Sequence, residues 1–204
     1  MPRRLKIKTL ALLFVIASPA AALFFVQSNC PTRGLALSRA VRESALLKNR
    51  TAPPAPPDFD ARVTLAALLG PGGDRGRWSA ERAAVVEGYV VEVGKGGVEA
   101  ANCYSFGRRD THIYLALVPG ATPRERMVLE VTPRMEAWAA GRGWDWSEAA
   151  LRRELTGRRC RFEGWLFFDE EHADEAENTS PGAAGNWRAT AWELHPVTAI
   201  SVLR

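Results

Sequence analysis

The chain has 204 residues, a formal net charge of +4 and seven tryptophans, a length that suits one domain with additional segments. The positive charge is unevenly placed. Residues 1–57 carry nine Lys and Arg against one acid, whereas residues 58–204 carry 18 Lys and Arg against 22 Asp and Glu, a net charge of −4. The basic balance therefore does not indicate a nucleic-acid-binding domain, and nucleic acid is not an expected partner.

A basic and then apolar segment opens the chain. Four Lys and Arg within the first eight residues precede an uncharged run over residues 9–26, which is the order of an export signal. Cleavage after Ala22, cleavage after Ser28, and retention of residues 1–28 as an anchor all fit this segment. The membrane is a partner only if the segment stays uncleaved. In each case we expect residues 29–204 to lie outside the cytoplasm, either in the periplasm or anchored to the membrane and facing outward.

Residues 29–57 are predicted to be a stalk between this segment and a domain over residues 58–204. A short helix is expected at residues 35–48. Four prolines follow within residues 53–57, a composition that favours an extended, semi-rigid spacer.

Five strands are predicted in the domain, at residues 83–93, 111–118, 127–132, 158–169 and 187–195, the last with an extension toward residue 203. A helix between the third and fourth strands is expected to start at a capping box of Asp145 and Glu148 and to stop at Gly157. Three strands, a helix and two strands are the order of the mostly-β oligonucleotide/oligosaccharide-binding (OB) fold, a five-stranded Greek-key barrel with one plugging helix. A split α+β sheet gives a similar order.

The second strand alternates, which predicts a buried face and a polar face. Ile113 and Leu115 share one face, and Asp110, His112 and Tyr114 share the other. In OB barrels the outward face of strands 2 and 3, with its flanking loops, is the usual ligand surface. A hairpin closing around residues 119–125 would bring Tyr114 near Glu130 and His112 near Thr132. The predicted ligand-binding residues are therefore Glu99, Asn102, Tyr114, Glu130, Thr132 and Arg134.

Histidines beside acids suggest a metal site on the same surface. The candidate ligands are Cys103, Asp110, His112, Asp169 and His172, residue types that suit zinc or another divalent metal. The leading interpretation of these His–acid pairs is nevertheless structural, as hydrogen-bond networks that close the barrel ends, and the metal site is the alternative to it. A third pair, Glu193 and His195, could face either a tight interior or the barrel rim.

The three cysteines, Cys30, Cys103 and Cys160, lie in a chain expected in an oxidising compartment. We expect one disulfide, Cys103–Cys160, with Cys30 left over. The alternative is free thiols, which would leave Cys103 as the one thiolate ligand of the candidate metal site.

Several motifs together resemble a group of uncharacterised bacterial exported proteins. They are Arg77-Trp78-Ser79, residues 96–103, Asp110-Thr-His112-Ile113, Glu130-Val-Thr-Pro-Arg134, residues 164–172 and residues 188–196. The resemblance spans residues 63–200 and implies one intact OB-like domain, without implying an activity.

The leading functional expectation is an extracytoplasmic OB-fold binding or interaction module, with an unknown ligand or protein partner, rather than an enzyme. The alternative is a metal-dependent hydrolase, of phosphodiesters or similar substrates, that uses the His/Asp/Cys cluster. Nucleic-acid binding is a third interpretation. No nucleophile-elbow, phosphate-loop or dinucleotide motif is present.

Overall fold

A computed structural model describes residues 29–204. The predicted signal or anchor over residues 1–28 lies outside the described residues. Among the helices of residues 29–204, none is both long and apolar enough to cross a membrane.

Five strands close into a barrel within the described part of the chain. They are β1 (Ala83–Lys95), β2 (Thr111–Ala116), β3 (Met127–Val131), β4 (Arg159–Phe168) and β5 (Trp192–Val202). The order around the barrel is β1-β2-β3-β5-β4, and β4 pairs with β1 to close it. All neighbours are antiparallel except β3 and β5. This arrangement confirms the predicted five-stranded OB-type barrel.

Four α-helices accompany the barrel in residues 29–204: α1 (Arg39–Lys48), α2 (Leu65–Leu69), α3 (Pro133–Ala140) and α4 (Glu148–Leu155). The helix predicted between the third and fourth strands is α4, but the capping residue predicted for it was wrong. Ser147, rather than Asp145, accepts the hydrogen bond from the first turn. Asp145 instead accepts from the Ser147 backbone N–H. Helix α3 was not predicted.

The barrel interior is apolar because the strands alternate as expected. Ile113 and Leu115 of β2, Leu129 of β3 and Leu194 of β5 are all fully buried in one core cluster. Leu151 and Leu155 of α4 belong to the same cluster, because residues four apart share a helix face. Helix α4 therefore packs on the barrel as the plug that its pattern predicted.

The β2–β3 register differs from the prediction by two residues. His112 lies opposite Glu130, and Tyr114 lies opposite Val128. Strand β2 ends at Ala116, and a turn at Pro123–Glu125 precedes β3, so the connection is longer than the hairpin closure assumed. A shift of two residues keeps every side chain on its face, and His112 therefore still points away from the core.

Part of the predicted stalk packs against the barrel. Arg50 donates to the backbone oxygens of Ala80 and Leu166. The Asn49 side chain donates to the backbone oxygen of Ala101, and Lys48 is buried. Residues 30–50 thus form a covering segment over the outer face of the barrel.

The disulfide joins Cys30 to Cys103 and fastens this covering segment to the β1–β2 loop. The predicted Cys103–Cys160 pairing was wrong. The Cα atoms of Cys30 and Cys103 are 5.7 Å apart, within the usual disulfide range. Cys160 is a free thiol in β4, buried in the core opposite Gly88. The error came from treating residue 30 as remote from the domain.

Gly88 is required by close packing where α2 crosses β1. A Cβ atom there would lie 2.4 Å from Leu65 Cδ2 and 2.6 Å from the Ala116 oxygen. We expect Gly88→Ala to lower the free energy of unfolding by about 1–3 kcal/mol, because overpacking forces neighbours apart. Gly94 is the control, since it lies in the same strand with nothing within 4 Å of its added Cβ. Equal urea midpoints for Gly88→Ala and Gly94→Ala would contradict this packing.

Candidate functional site

A cleft of about 430 Å³ lies between the outer face of the barrel and its loops. Its lining is rich in carboxylates, histidines and aromatic rings: Lys48, Lys95, Gly96, Gly97, Val98, Glu99, His112, Tyr114, Glu130, Asp169, Glu171, His172, Trp187 and Glu193. The cleft therefore draws on the covering segment, the β1–β2 loop, strands β2, β3 and β5, and the loop after β4. This is the surface on which the sequence predicted a ligand site.

Strand alternation brings the polar side chains to this outer face. Trp192 and Leu194 of β5 point into the core, so Glu193 and His195 point away from it. They are nevertheless only 1% and 0% exposed. Phe167 of β4 packs edge-on against the His195 ring, at 5.4 Å between ring centroids, and the Lys48 ammonium lies 5.3 Å from the Phe167 ring. The third His–acid pair therefore lies outside the barrel interior, beneath the covering segment.

His112 and Glu130 form the centre of the cleft. His112 Nε2 lies 3.2 Å from Glu130 Oε1, but the two atoms do not have hydrogen-bond geometry. Gly96 makes this placement fit, because a Cβ atom there would be 2.5 Å from His112 Nε2. Glu99 completes a group of three with them, in which one ligand atom from each residue lies within 4.8 Å of the others. These three residues could hold a metal ion at the cleft surface.

A second group of three lies deeper and shares Glu130. Asp110, Glu130 and His195 are all buried and also offer ligand atoms within 4.8 Å of one another. His195 Nδ1 is 3.4 Å from both Glu130 Oε2 and Glu193 Oε2. Asp110 Oδ1, Glu130 Oε2 and His195 Nε2 are buried without a hydrogen-bond partner, whereas Asp110 Oδ2 accepts from the Asn102 amide at 2.9 Å.

Burial makes these carboxyl groups hold protons more tightly. It raises the pKa of Asp110 to about 7, and the neighbouring Glu99 acts in the same direction. It likewise raises the pKa of Glu193 to about 7, aided by Asp169. The pKa of Glu130 rises well above its ordinary value through burial and then through the proximity of Glu193. Several acids in a low-dielectric space oppose one another's ionisation.

The basic groups respond in opposite directions. Burial lowers the pKa of His195 to about 3, and the Lys48 charge adds to that effect. Burial also lowers the pKa of His112. Both imidazoles are therefore neutral at pH 7, the form that binds metals. Burial by itself would lower the pKa of Lys48, but the surrounding carboxylates, Glu99 first, raise it. The Lys48 ammonium lies 2.8 Å from Glu99 Oε2.

A separate ion-pair network borders the cleft. Arg188 is fully buried and donates to Asp169 Oδ2 at 2.7 Å and to Glu193 Oε1 at 2.6 Å. Asp169 Oδ2 also lies 2.8 Å from His172 Nδ1. Burial acts to raise the pKa of Asp169. The hydrogen bond from His172 and the charge of Arg188 nevertheless hold that pKa below its usual range. The network fixes Asp169 as an ionised carboxylate.

Comparisons of the chain with family models, with curated proteins and with solved structures give no match. The site must therefore be interpreted from its own geometry.

Of the predicted ligand-binding residues, Glu99, Tyr114 and Glu130 line the cleft, and Asn102 supports it through Asp110. Two others serve the fold instead. Thr132 is buried and accepts from the Met135 N–H as the cap of α3. Arg134 donates to the Asn49 side chain and to the backbone oxygen of Cys30, and so binds the covering segment.

The five predicted metal ligands do not form one group. Asp110 and His112 belong to the two groups that share Glu130, whereas Asp169 and His172 pair with each other beside Arg188. Cys103 has no free thiolate because it is bonded to Cys30. The expectation of Cys103 as a thiolate ligand is therefore corrected.

Two important residues were missed. Lys48 was assigned to the stalk, and no local pattern showed that residues 30–50 would pack over the cleft. Arg188 was noted only within a motif that carries the resemblance. The motifs singled out in the sequence nevertheless contain most of the residues that meet in this region: Glu99, Asn102, Asp110, His112, Glu130, Asp169, His172, Arg188, Glu193 and His195.

Proposed function

We propose that this protein binds one divalent transition-metal ion in the cleft, through His112 and Glu130 with Glu99 as the third ligand. The observation that carries the proposal is the 3.2 Å approach of His112 Nε2 to Glu130 Oε1 without a hydrogen bond. Tetrahedral ligand atoms at about 2.0–2.1 Å from zinc lie roughly 3.3 Å from one another. The two atoms therefore have the spacing of two ligands on one ion.

The charge balance of the cluster supports the same proposal. Five carboxyl groups lie together, those of Glu99, Asp110, Glu130, Asp169 and Glu193, against the two permanent cations Lys48 and Arg188. Buried carboxylates without compensating charge are costly, so they must hold protons or a cation. A divalent ion beside Glu130 would replace protons that these groups otherwise retain.

The ligand types narrow the choice of metal. Imidazole nitrogen with carboxylate oxygens suits Zn²⁺, Fe²⁺ or Mn²⁺ better than Ca²⁺, which takes oxygen ligands. Three protein ligands facing an open cleft leave a coordination position for an exogenous molecule, which is the arrangement of reactive rather than structural sites.

We propose further that the OB face presents this ion to its ligand outside the cytoplasm. The Cys30–Cys103 disulfide supports that location, because such bonds persist in oxidising compartments. The basic and apolar order of residues 1–28 supports it independently.

A metal-free interaction module remains the second candidate. Lys48 favours it, because its ammonium already lies on Glu99 and offsets part of the acidic charge. In that case His112 and Glu130 would share a proton, and the cleft would bind its partner without an ion.

Metal titration separates the two candidates. We expect the full-length chain to bind one Zn²⁺ or Mn²⁺ per molecule, and His112→Ala and Glu130→Gln to weaken binding by at least about 100-fold. Loss of a ligand should exceed the roughly 10–100-fold effect of losing a supporting residue. Isothermal titration calorimetry and elemental analysis measure this.

His172→Ala is the matched control, since it removes a cleft histidine outside both ligand groups. It should keep the affinity of the parent. A parent protein that takes up no ion, or three variants with equal affinity, would establish the metal-free candidate instead.

A further inference from the structure

His172 and Asp169 form an oriented pair at the edge of the cleft. His172 Nδ1 lies 2.8 Å from Asp169 Oδ2, which also accepts from Arg188 Nη2 at 2.7 Å. Asp169 Oδ1 accepts from the Glu171 N–H at 3.1 Å. An ionised carboxylate held at both oxygens fixes the proton of a neutral His172 on Nδ1, which leaves the Nε2 lone pair for a molecule in the cleft.

The exposure of this pair is what a proton-transfer group needs. The His172 side chain is 46% exposed, whereas that of Asp169 is 7% exposed. His172 lines the same cleft as His112 and Glu130. Edge-on ring contacts join them, from His172 to Trp187 at 6.0 Å, from Trp187 to Tyr114 at 6.3 Å and from Tyr114 to His112 at 6.2 Å. His172 is therefore both oriented by a buried carboxylate and accessible from the cleft.

We infer that the cleft hydrolyses uncharged carboxylic esters, with His172 as the catalytic acid–base residue and Asp169 as the residue that positions it. This inference rests on the proposed metal site and extends it from binding to a reaction class. A base oriented by a buried carboxylate, in the same cleft as an ion that would polarise a carbonyl oxygen, is a set of groups that acyl hydrolysis uses.

The reaction balances without a further reagent. A water molecule attacks the ester carbonyl carbon, and its proton passes to His172 Nε2. The bond from that carbon to the alkoxy oxygen then breaks, and the proton on Nε2 moves to the departing oxygen. The products are a carboxylic acid and an alcohol, and no atom is oxidised or reduced.

The charge of the cleft selects the substrate class. Five of its lining residues are acids, Glu99, Glu130, Asp169, Glu171 and Glu193, against Lys48 and Lys95. Lys48 is already paired with Glu99. With the divalent ion bound and Arg188 paired to Asp169 and Glu193, these charges sum to about zero, so the cleft offers no net positive charge to attract an anionic phosphodiester. A neutral ester, which needs no such attraction, is therefore the substrate class that we propose. The rings of Tyr114 and Trp187 offer contact to an apolar acyl or alcohol group.

The His172–Asp169 pair should give the hydrolysis a defined pH dependence. The charged groups that face His172 are Asp169, Arg188 and Glu175. The hydrogen bond to Asp169 raises the pKa of His172 above its ordinary value. Since the neutral imidazole is the base, activity should rise with pH through that raised pKa. Asp169→Asn removes the carboxylate and should move the inflection to lower pH.

Ester turnover by the Zn²⁺-loaded, full-length chain tests the inference, with 4-nitrophenyl acetate as the probe. We expect His172→Ala to lower kcat/KM by about 100-fold or more, the size of general acid–base catalysis, while zinc content stays at the parent level. Glu170→Gln is the control, because Glu170 lies in the same loop, is 65% exposed, pairs with Arg75 and does not line the cleft. It should turn over like the parent.

The outcomes separate the two proposals. A protein that binds zinc but hydrolyses no ester, or a His172→Ala variant as active as the parent, overturns the catalytic pair and leaves the metal site standing. Faster turnover of bis(4-nitrophenyl) phosphate than of the ester overturns the substrate class. A protein that binds no metal overturns both proposals.

Discussion

Replacement of Arg188 by methionine should lower the free energy of unfolding by about 3–5 kcal/mol, because breaking a buried ion pair leaves an uncompensated charge. Arg188 is fully buried and bonds to Asp169 and Glu193, which are themselves almost completely buried. Urea unfolding of the two proteins at pH 7 measures the difference. Arg159→Ala is the control, since Arg159 meets Glu87 on the surface with its side chain 56% exposed, and such pairs contribute about 0–1 kcal/mol.

The difference in unfolding free energy between the parent and Arg188→Met should also depend on pH. The pKa of Asp169 is lowered in the folded parent, so its contribution to stability is present above the unfolded-state value near 3.9 and is lost as pH falls through the folded value. Without Arg188 the part of that contribution that the arginine supplies is lost, whereas the hydrogen bond from His172 remains. The gap between parent and Arg188→Met should therefore narrow as the pH is lowered toward 3. A gap that is constant with pH, or no gap at pH 7, would contradict the assigned ion pairs.

Loss of the Cys30–Cys103 disulfide should cost about 4 kcal/mol of unfolding free energy, the loop-entropy value for a bond that closes about 70 residues. The two cysteines are 73 residues apart in sequence. Without the bond, the covering segment is held by noncovalent contacts such as those of Lys48, Asn49 and Arg50. The measurement is urea unfolding of the parent with and without reductant.

The double variant Cys30→Ser with Cys103→Ser supplies the control. It should unfold like the reduced parent and should not respond to reductant. Unfolded, unreduced parent should expose one reactive thiol, which peptide mapping should assign to Cys160. A reactive thiol at Cys30, or an unfolding midpoint that reductant does not shift, would contradict the observed pairing.

Local patterns in the sequence were sufficient for the barrel. The alternation of β2 placed Ile113 and Leu115 in the core and His112 and Tyr114 outside, because strand side chains alternate with a period of two. The pairing register of β2 with β3 was harder to predict from the sequence, because it depends on the length of the connection at residues 117–126. Helix α3 was overlooked although Thr132 and Pro133 are favourable residues at its start.

The site was only partly predictable, for a physical reason. Asp110, His112 and Glu130 come from neighbouring strands, and their faces follow from local alternation. Lys48 reaches the site through the covering segment, which Cys30 fastens to the β1–β2 loop and which lies far away in sequence. No periodicity encodes such tertiary docking. The complete burial of Arg188 was equally hidden, because a buried arginine depends on carboxylates that other elements supply.

Anomalous X-ray diffraction from crystals of the full-length chain grown with Zn²⁺ would locate an ion held by His112 and Glu130. We expect one strong zinc peak in the cleft, about 2.0–2.2 Å from His112 Nε2 and from a Glu130 oxygen. A cleft without a zinc peak, with His112 Nε2 hydrogen-bonded to Glu130, would contradict it. So would a peak bound only by Asp110 and His195, because that ion would lie away from the cleft lining.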